Sequence, residues 1–133
     1  MTSFLDTNIF IYALSGHPEL GSISKQILER VEAGEEAVTS TLVLCEVAWV
    51  LEAKGAQGDI KSVLEKILSF NHVGVVEVLV DDLVVGAAYI SQFGMDFNDA
   101  VNLAIIERLG ITKVYSNDKR HLGRVDHIET VFE

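Results

Sequence analysis

The sequence predicts an α/β fold of three layers, in which a parallel sheet of four to five strands has helices on both faces. Short apolar segments alternate along the chain with longer segments whose apolar residues recur at helical spacing. Helices between consecutive strands make right-handed crossovers, which leave the strands parallel and covered on both faces. The expected strands are residues 2–5, 37–39, 75–79, 113–116 and, at an edge, 128–132.

The composition indicates one folded domain that spans residues 1–133. Hydrophobic residues fill 49% of the positions and only one proline is present, so disordered and low-complexity classes are excluded. No apolar run approaches the roughly 20 residues of a membrane span, and the start of the chain lacks the features of a signal peptide. The single cysteine, Cys45, excludes an internal disulfide, and we expect a protein of the reducing cytoplasm.

Two helices are predicted between the first and second strands. Residues 7–14 form the first helix, and Pro18 stands where it would open the second after a turn. Gly34 ends the second helix just before the next strand. The apolar stripe of the second helix is Leu20, Ile23, Ile27 and Val31.

Four further helices are predicted, each preceded by a residue type that caps helix N-termini. The third helix carries Glu46 in an apolar run with no other charge, and Cys45 and Trp49 of this run are expected in the core. This helix ends near Gly55, and the last helix ends at Gly110. In chain order the expected caps are Ser40 or Thr41, Asp59, Asp81 or Asp82, and Asp96.

Four carboxylates stand where charge is costly, because each interrupts or ends an apolar segment. They are Asp6 after the first strand, Glu46 in the third helix, Asp99 before an apolar pair, and Asp118 after the fourth strand. An isolated buried carboxylate costs several kcal/mol unless it is neutralised, paired or bound to a metal. A shared divalent cation accounts for all four residues together.

The predicted topology brings these carboxylates to one edge of the sheet. Binding sites of open parallel sheets lie beyond the carboxyl ends of the strands. Asp6 and Asp118 fall at such ends, and Glu46 and Asp99 lie within the first two turns of helices that start from this edge. Structural alternatives stay open, since Asp6 also suits a helix cap, Asp118 a turn, and Glu46 an ion pair.

Three polar residues are expected to support the carboxylates. Asn8 follows Asp6 closely and is placed to orient a water molecule. Ser116 is placed to hold the Asp118 carboxylate or a water. Asp96 is either the cap of the last helix or an outer acid of the site.

The net charge of −10, from 10 basic and 20 acidic residues, argues against broad attraction to nucleic acid. Basic residues nevertheless crowd residues 113–133, where they form either a local phosphate-binding lip or a solvated face. These residues are Lys113, Lys119, Arg120, His121, Arg124 and His127. The histidines and the single cysteine lack the spacing of a zinc site, and no glycine-rich phosphate loop is present.

In these residues the chain resembles the PIN domain family, and within it the small VapC-like ribonuclease toxins. The matching segments are Phe-Leu-Asp-Thr-Asn at 4–8, Ser40 with Glu46, Asp-Phe-Asn-Asp-Ala at 96–100, and Ser-Asn-Asp-Lys at 116–119. They occur in the family's order and span nearly the whole chain. One departure follows Asp118, where the family often continues to an acid and an aromatic residue, whereas here Lys119 leads to Arg120 and His121.

The resemblance implies a metal-dependent endoribonuclease that hydrolyses RNA phosphodiester bonds as the toxin of a VapBC-type toxin–antitoxin pair. It also implies a cognate antitoxin and a homodimer. By the same resemblance, Asn8 and Ser116 match supporting polar positions. The acidic quartet that would bind Mg²⁺ or Mn²⁺ is Asp6, Glu46, Asp99 and Asp118.

Three alternatives remain open at this point. The first is a PIN-like nuclease that processes RNA outside a toxin pair. The second is a phosphate-transfer domain of the receiver or haloacid dehalogenase type, in which Asp6 would be phosphorylated, although the latter type requires an acid where this chain has Asn8. The third is a non-catalytic module whose acids hold a structural cation or a basic segment of a partner.

Overall fold

The computed structural model describes residues 2–133. Five strands form one sheet in the order β3-β2-β1-β4-β5, and every neighbouring pair is parallel. The prediction of a parallel sheet of four to five strands is therefore confirmed, with the last strand at an edge. The strands are β1 (Ser3–Leu5), β2 (Ala37–Ser40), β3 (Val73–Val76), β4 (Lys113–Tyr115) and β5 (Glu129–Val131).

Six α-helices cover the sheet. They are α1 (Thr7–Ser15), α2 (Gly21–Glu32), α3 (Thr41–Ala53), α4 (Ile60–Leu68), α5 (Val80–Phe93) and α6 (Phe97–Arg108). Because crossovers between parallel strands are right-handed, α1 to α4 lie on one face of the sheet and α5 and α6 lie on the other. The packing of α1 on α2 and of α5 on α6 agrees with this arrangement. None of the helices in residues 2–133 combines the length and apolarity that crossing a bilayer requires.

The core fixes the position of α6, the helix that carries Asp99. Every residue from Ala100 to Ile106 is buried, so this helix is covered on almost all sides. Gly86 lets α5 approach it closely, since a Cβ atom at that position would lie 2.8 Å from Cγ2 of Val101. Small displacements of such a closely packed helix are resisted by its neighbours.

The third strand and two helix caps differ from the prediction. β3 runs from Val73 to Val76 instead of 75–79, because its partner β2 ends at Ser40, opposite Val76. Asp59 stands at the N-cap position of α4 but makes no capping hydrogen bond.

The helix α5 begins earlier than expected. Leu79 occupies its N-cap position, so neither Asp81 nor Asp82 is the N-cap. Asp82 instead accepts the Leu79 backbone N–H at 2.8 Å from the third helical position. The carboxylate thus still satisfies a backbone donor at this helix end.

Two residues expected in the core lie on the surface. Cys45 is exposed and Trp49 is 50% exposed, so this prediction is wrong. The helix α3 is apolar on nearly every side, and its apolar pattern therefore does not identify the face that packs inward. Val43 and Val47 form that buried face.

Candidate metal centre

A cleft of about 670 Å³ opens beside the carboxyl ends of β1 and β4. The order of the strands reverses between these two neighbours, which is the point where open α/β sheets bind ligands. The structure brings the four predicted carboxylates and the supporting Asn8 into the lining of this one cleft. The acidic residues of the lining are Asp6, Glu46, Asp99 and Asp118.

Asp6 follows β1 directly, where parallel pairing sets Leu5 beside Tyr115 of β4. The residue is 6% exposed. Its Oδ1 accepts a hydrogen bond of 2.8 Å from the backbone N–H of Thr7, so Asp6 also caps α1. The second oxygen, Oδ2, accepts a hydrogen bond of 2.6 Å from the Ser116 hydroxyl. A carboxylate has lone pairs enough for both contacts and a further ligand.

Ser116 connects Asp6 to the turn that carries Asp118. Its Oγ donates to Asp6 and accepts the backbone N–H of Asp118 at 2.9 Å. The Asp118 Oδ1 accepts the backbone N–H groups of Arg120 and His121 at 3.1 and 2.9 Å, which forms the turn anticipated as a structural alternative. Ser116 therefore holds Asp118 through the backbone, while the turn fixes the Asp118 carboxylate.

Glu46 is oriented by residues from two other parts of the chain. Asn102 on α6 donates from Nδ2 to Oε1 of Glu46 at 2.8 Å. The Asn102 Oδ1 in turn accepts a hydrogen bond of 2.7 Å from Ser40, which is the N-cap of α3 as predicted. Among residues 2–133, no basic side chain forms a salt bridge with Glu46, so the ion-pair alternative is not realised.

Asp99 lies on the first turn of α6 and contacts a histidine. The Nδ1 atom of His121 is 2.8 Å from Oδ2 of Asp99 and 3.7 Å from Oδ2 of Asp118. Asp96 takes the N-cap position of α6, but its carboxylate makes no capping hydrogen bond. It lies near Asp99 and His121, and one donor atom from each of these three residues falls within 4.8 Å of the others.

Burial and the charges of neighbouring carboxylates raise the pKa values of three residues in the cleft, Asp6, Glu46 and Asp99. Burial raises the pKa of Asp6, against the lowering effect of its hydrogen bonds with Ser116 and Thr7. Burial, followed by the charge of Asp6, raises the pKa of Glu46 to about 7. Burial and the charges of Asp6 and Asp118 raise the pKa of Asp99 to about 6. A cation between them would remove this repulsion.

The residues present fit a divalent cation with oxygen ligands. Thr7 lines the cleft, is 7% exposed, and its buried hydroxyl makes no hydrogen bond of good geometry. The hydroxyl lies close enough to Glu46 to lower the pKa of that carboxyl slightly. An ion or its water shell would give this buried hydroxyl a partner of good geometry. The carboxylates are the hard oxygen donors that Mg²⁺ and Mn²⁺ prefer.

The basic lip is smaller than the sequence suggested. Lys119, Arg120 and His121 line the cleft. Lys113 does not line the cleft: it begins β4, at the opposite end of the strand from the site, and pairs with Glu35 at 3.4 Å. The two remaining residues contact other parts of the chain, as Arg124 donates to the backbone of Phe93 and His127 pairs with Glu107.

Sequence reasoning missed the parts that Thr7 and Asn102 play in the site, and it placed His121 only in the basic lip and not in contact with Asp99. Asn102 follows Asp99 by three positions, which places both on one face of α6. The side-chain amide of Asn102 lies among apolar residues in the sequence of α6, and a buried amide needs a hydrogen-bond partner. This is the signal from which a contact between Asn102 and a second polar group could have been predicted. The contact of His121 with Asp99 depends on the turn made by Asp118 and has no local sequence signal.

The PIN domain family model matches residues 3–128. The match covers almost the entire chain, and this protein therefore belongs to the PIN domain family. No curated protein sequence matches the chain.

Several solved structures share the fold. The chain is similar to VapBC2 from Rickettsia felis, bound to a promoter DNA fragment, at 18% identity over 98% of both chains with a TM-score of 0.73. It is similar to VapC20 from Mycobacterium tuberculosis, a toxin that cleaves the sarcin–ricin loop, at 20% identity over 89% of this chain and 91% of that chain, with a TM-score of 0.73. DNA-bound VapBC from Salmonella typhimurium matches at 18% identity over 98% and 97%, with a TM-score of 0.72. These similarities confirm the predicted PIN-like fold.

Proposed function

We propose that this protein is a metal-dependent endoribonuclease that hydrolyses RNA phosphodiester bonds and is the toxin of a VapBC-type pair. One observation carries the proposal: four carboxylates from separate parts of the chain line a single cleft at the switch point of the sheet. Membership of the PIN domain family and the similarity of the fold to VapC toxins support it.

The cleft suits phosphodiester hydrolysis if a bound divalent cation offsets the negative charge of its carboxylates. Asp6, Glu46, Asp99 and Asp118 would hold Mg²⁺ or Mn²⁺, and the chemistry that such an ion would supply is activation of water and neutralisation of negative charge on the phosphate. Ser116 fixes the Asp6 carboxylate, and Asn102 fixes that of Glu46. Ligands held in this way keep their geometry when a phosphate enters.

Two basic side chains are placed to hold the substrate. Lys119 and Arg120 lie on the rim of the cleft beside Asp118. They offer charge to an RNA backbone whose approach the net charge of −10 would otherwise disfavour. Asn8, also in the lining, is positioned to donate to or accept from a water or a phosphate oxygen.

The proposed partners are a cognate antitoxin and a second copy of the chain, in the cytoplasm. VapBC complexes from Rickettsia felis and Salmonella typhimurium share this fold, which supports an antitoxin partner. For the homodimer we assign the outer face of α5, because Val80, Leu83 and Val84 are 75%, 40% and 66% exposed at helical spacing. A row of exposed apolar residues of this kind favours a covering protein surface.

Cleavage assays with charge-neutral variants test the enzymatic part of the proposal. Asp6→Asn and Asp99→Asn should each lower the cleavage rate of single-stranded RNA with Mg²⁺ or Mn²⁺ by about 100-fold or more. Asp81→Asn, an exposed acid at the start of α5, is the matched control and should cleave normally. Full activity of a pure, folded Asp6→Asn/Asp99→Asn double variant would overturn the assignment.

The toxin role is tested separately in cells. Expression of the wild-type chain should arrest growth, Asp6→Asn should relieve the arrest, and the product of a neighbouring gene should co-purify with the chain. RNA cleavage in vitro without growth arrest or such a partner would favour a PIN nuclease that processes RNA outside a toxin pair.

A further inference from the structure

A second cavity opens beside the cleft, at the carboxyl end of β4 and along β5. Its volume is about 570 Å³, within the range of about 300–1,000 Å³ that is usual for small-molecule sites. Of the residues 2–133 that the structure describes, only Asn117 and Lys119 line both the cavity and the cleft. The two spaces therefore adjoin at these two residues.

The backbone holds Lys119 at the boundary between the two spaces. The Lys119 N–H donates to the Asn117 carbonyl at 3.1 Å, and the Gly123 N–H donates to the Asp118 carbonyl at 2.9 Å. Gly123 also lines the cavity, and a Cβ atom there would lie 3.2 Å from the Asp118 carbonyl oxygen. An ammonium group carried by this turn attracts a phosphate that lies between the two spaces.

The opposite wall of the cavity is β5, which is an edge strand of the sheet. The Glu129 N–H and the Val131 carbonyl form hydrogen bonds on the β4 side, of 2.7 and 3.0 Å. The backbone groups of Thr130 and Phe132 therefore point the other way, where no further strand of residues 2–133 follows. The Thr130 hydroxyl is also buried, and it has no hydrogen-bond partner within residues 2–133. This wall thus offers several polar groups to a ligand.

Phe132 adds an aromatic surface to the same wall. Its ring is half-buried and packs on the Tyr12 ring in a T-shaped arrangement, with the ring centroids 6.1 Å apart. A ring held in this way loses little freedom when a nucleobase stacks on it. Glu129 and Glu133 also line the cavity, so its interior disfavours a phosphate and accepts N–H donors.

We propose that the second cavity is a nucleoside subsite, which holds the base of the nucleotide next to the scissile phosphate while Lys119 contacts the phosphate between the two spaces. The inference rests on the proposed function, for which it names residues that contact the substrate beyond the metal centre. Phe132 stacks on the base, and the Thr130 hydroxyl and backbone contact its polar edge. The Glu129 carboxylate accepts a hydrogen bond from an exocyclic amino group, which adenine has and uracil lacks. The subsite therefore favours adenine over uracil.

Nitrogen–proton correlation NMR of the wild-type chain tests for the subsite without any cleavage. Adenosine 5′-monophosphate, which contains no phosphodiester bond, is titrated into the full chain in the presence of Mg²⁺. The backbone N–H signals of Gly123 and Thr130 should shift and saturate, and uridine 5′-monophosphate should require a concentration about threefold higher. Ribose 5-phosphate, the control without a base, should leave the Thr130 signal in place. Equal shifts with all three compounds, or no shift with any of them, would overturn the subsite.

Cleavage kinetics with a fluorescent hexamer of adenosine nucleotides give KM and kcat separately. Phe132→Leu keeps an apolar side chain in the wall and should raise KM about tenfold, with kcat changed by less than about threefold. Thr130→Val removes only the unpartnered hydroxyl and should raise KM about threefold. Phe70→Leu, the same change at a half-buried ring outside the cavity, and Thr112→Val, at an exposed hydroxyl, are the matched controls. Unchanged KM values of both cavity variants would contradict the proposal.

These outcomes separate the subsite from the proposed function. RNA cleavage without nucleotide-induced shifts of Thr130 and without changes in KM would overturn the subsite alone. Nucleotide-induced shifts of Thr130 in a chain that cleaves no RNA would overturn the proposed function and support the nucleoside site. If Thr130→Val and Phe132→Leu lose only the protein that co-purifies with the wild type, the edge of β5 binds a partner strand and the subsite is wrong.

Discussion

The side-chain amide of Asn102 donates a hydrogen bond of 2.8 Å to Oε1 of Glu46, and thereby links two helices across the candidate metal centre. Asn102 is 1% exposed and is itself oriented by the Ser40 hydroxyl, which also caps α3. The cap of one helix, an amide on another and a site carboxylate thus form one connected network. Such a network fixes the direction of the carboxylate before any ligand arrives.

Replacement of Asn102 by alanine should weaken metal binding without removing any carboxylate. Loss of a partner that orients a metal ligand typically costs 10–100-fold in affinity, and we expect a decrease of about that size for Asn102→Ala. Calorimetric titration with Mg²⁺ or Mn²⁺ measures the change. Asn71→Ala, which truncates an exposed amide, is the control. Equal affinities of the two variants would show that Asn102 does not orient Glu46.

The raised pKa of Glu46 predicts a pH dependence of stability in the metal-free protein. Burial and the charge of Asp6 raise this pKa to about 7 from its model-peptide value of 4.5. The folded state therefore holds a proton that the unfolded state has lost, so the free energy of unfolding falls as the pH rises from about 4.5 to about 7. Above that range the contribution stays constant.

Glu46→Gln should remove the cost of ionising this buried carboxyl in the folded protein. At pH 8 in EDTA we expect the variant to be more stable than the wild type by about 1–3 kcal/mol, and the difference should shrink towards pH 5. Urea unfolding at several pH values measures it. Glu65→Gln, whose side chain is 64% exposed, should track the wild type throughout. A variant that is less stable than the wild type at pH 8 would contradict the expected cost of ionising Glu46.

The strand ends of the site were predictable because their signal is local. Asp6 follows a fully buried strand, and the parallel register that sets Leu5 beside Tyr115 brings the residues after both strands together. Topology alone therefore predicted that Asp6 and Asp118 lie at one edge. Ser116 was also expected, to hold the Asp118 carboxylate or a water. In the structure its hydroxyl donates to Asp6 and accepts the backbone N–H of Asp118.

The remaining parts of the site depend on tertiary packing that local patterns do not encode. Asn102 is one polar residue in a helix buried on almost every side, and its partner Glu46 is 56 positions away. Trp49 is the opposite case, an apolar residue that was expected in the core and is exposed. The helix α3 has no polar face, so its sequence does not indicate which side is exposed. Such features follow from which elements pack together, and the hydrophobic period alone leaves them open.

Gly86 should be intolerant of even one added methyl group. A Cβ atom there would lie 2.8 Å from Cγ2 and 3.0 Å from the backbone Cα and N of Val101, so α6 would have to move. We expect Gly86→Ala to destabilise the protein by about 1–3 kcal/mol, as overpacking in a core does. Because α6 carries Asp99 and Asn102, metal affinity should fall as well.

Thermal unfolding and metal titration of Gly86→Ala measure both effects. Gly58→Ala is the matched control, because a Cβ at that position meets no atom within 4 Å and its backbone is not in the left-handed region. It should be as stable as the wild type or slightly more so. A Gly86→Ala variant with unchanged stability would show that α5 and α6 separate without cost.

The ion pair between Asp82 and Arg108 should stabilise the protein at neutral pH and lose this effect in acid. Asp82 is 3% exposed, and its two oxygens accept hydrogen bonds of 2.9 Å from Nε and Nη2 of Arg108. The Arg108 hydrogen bond holds the pKa of Asp82 below its usual range. The stabilisation is thus complete above the unfolded-state pKa of about 3.9 and disappears as the pH falls through the lower folded-state value.

Asp82→Asn should accordingly lower the free energy of unfolding by about 2–3 kcal/mol at pH 7, since it leaves the arginine without its bidentate partner. Urea unfolding at pH 7, 4 and 3 measures the difference in free energy of unfolding between the wild type and the variant. This difference should become smaller only at the lowest pH values. Asp81→Asn, at the neighbouring exposed position, should change stability by less than about 1 kcal/mol. If the difference in free energy of unfolding is the same at pH 3 as at pH 7, the charge of Asp82 does not contribute to stability. Asp82 would then stabilise the protein through packing alone.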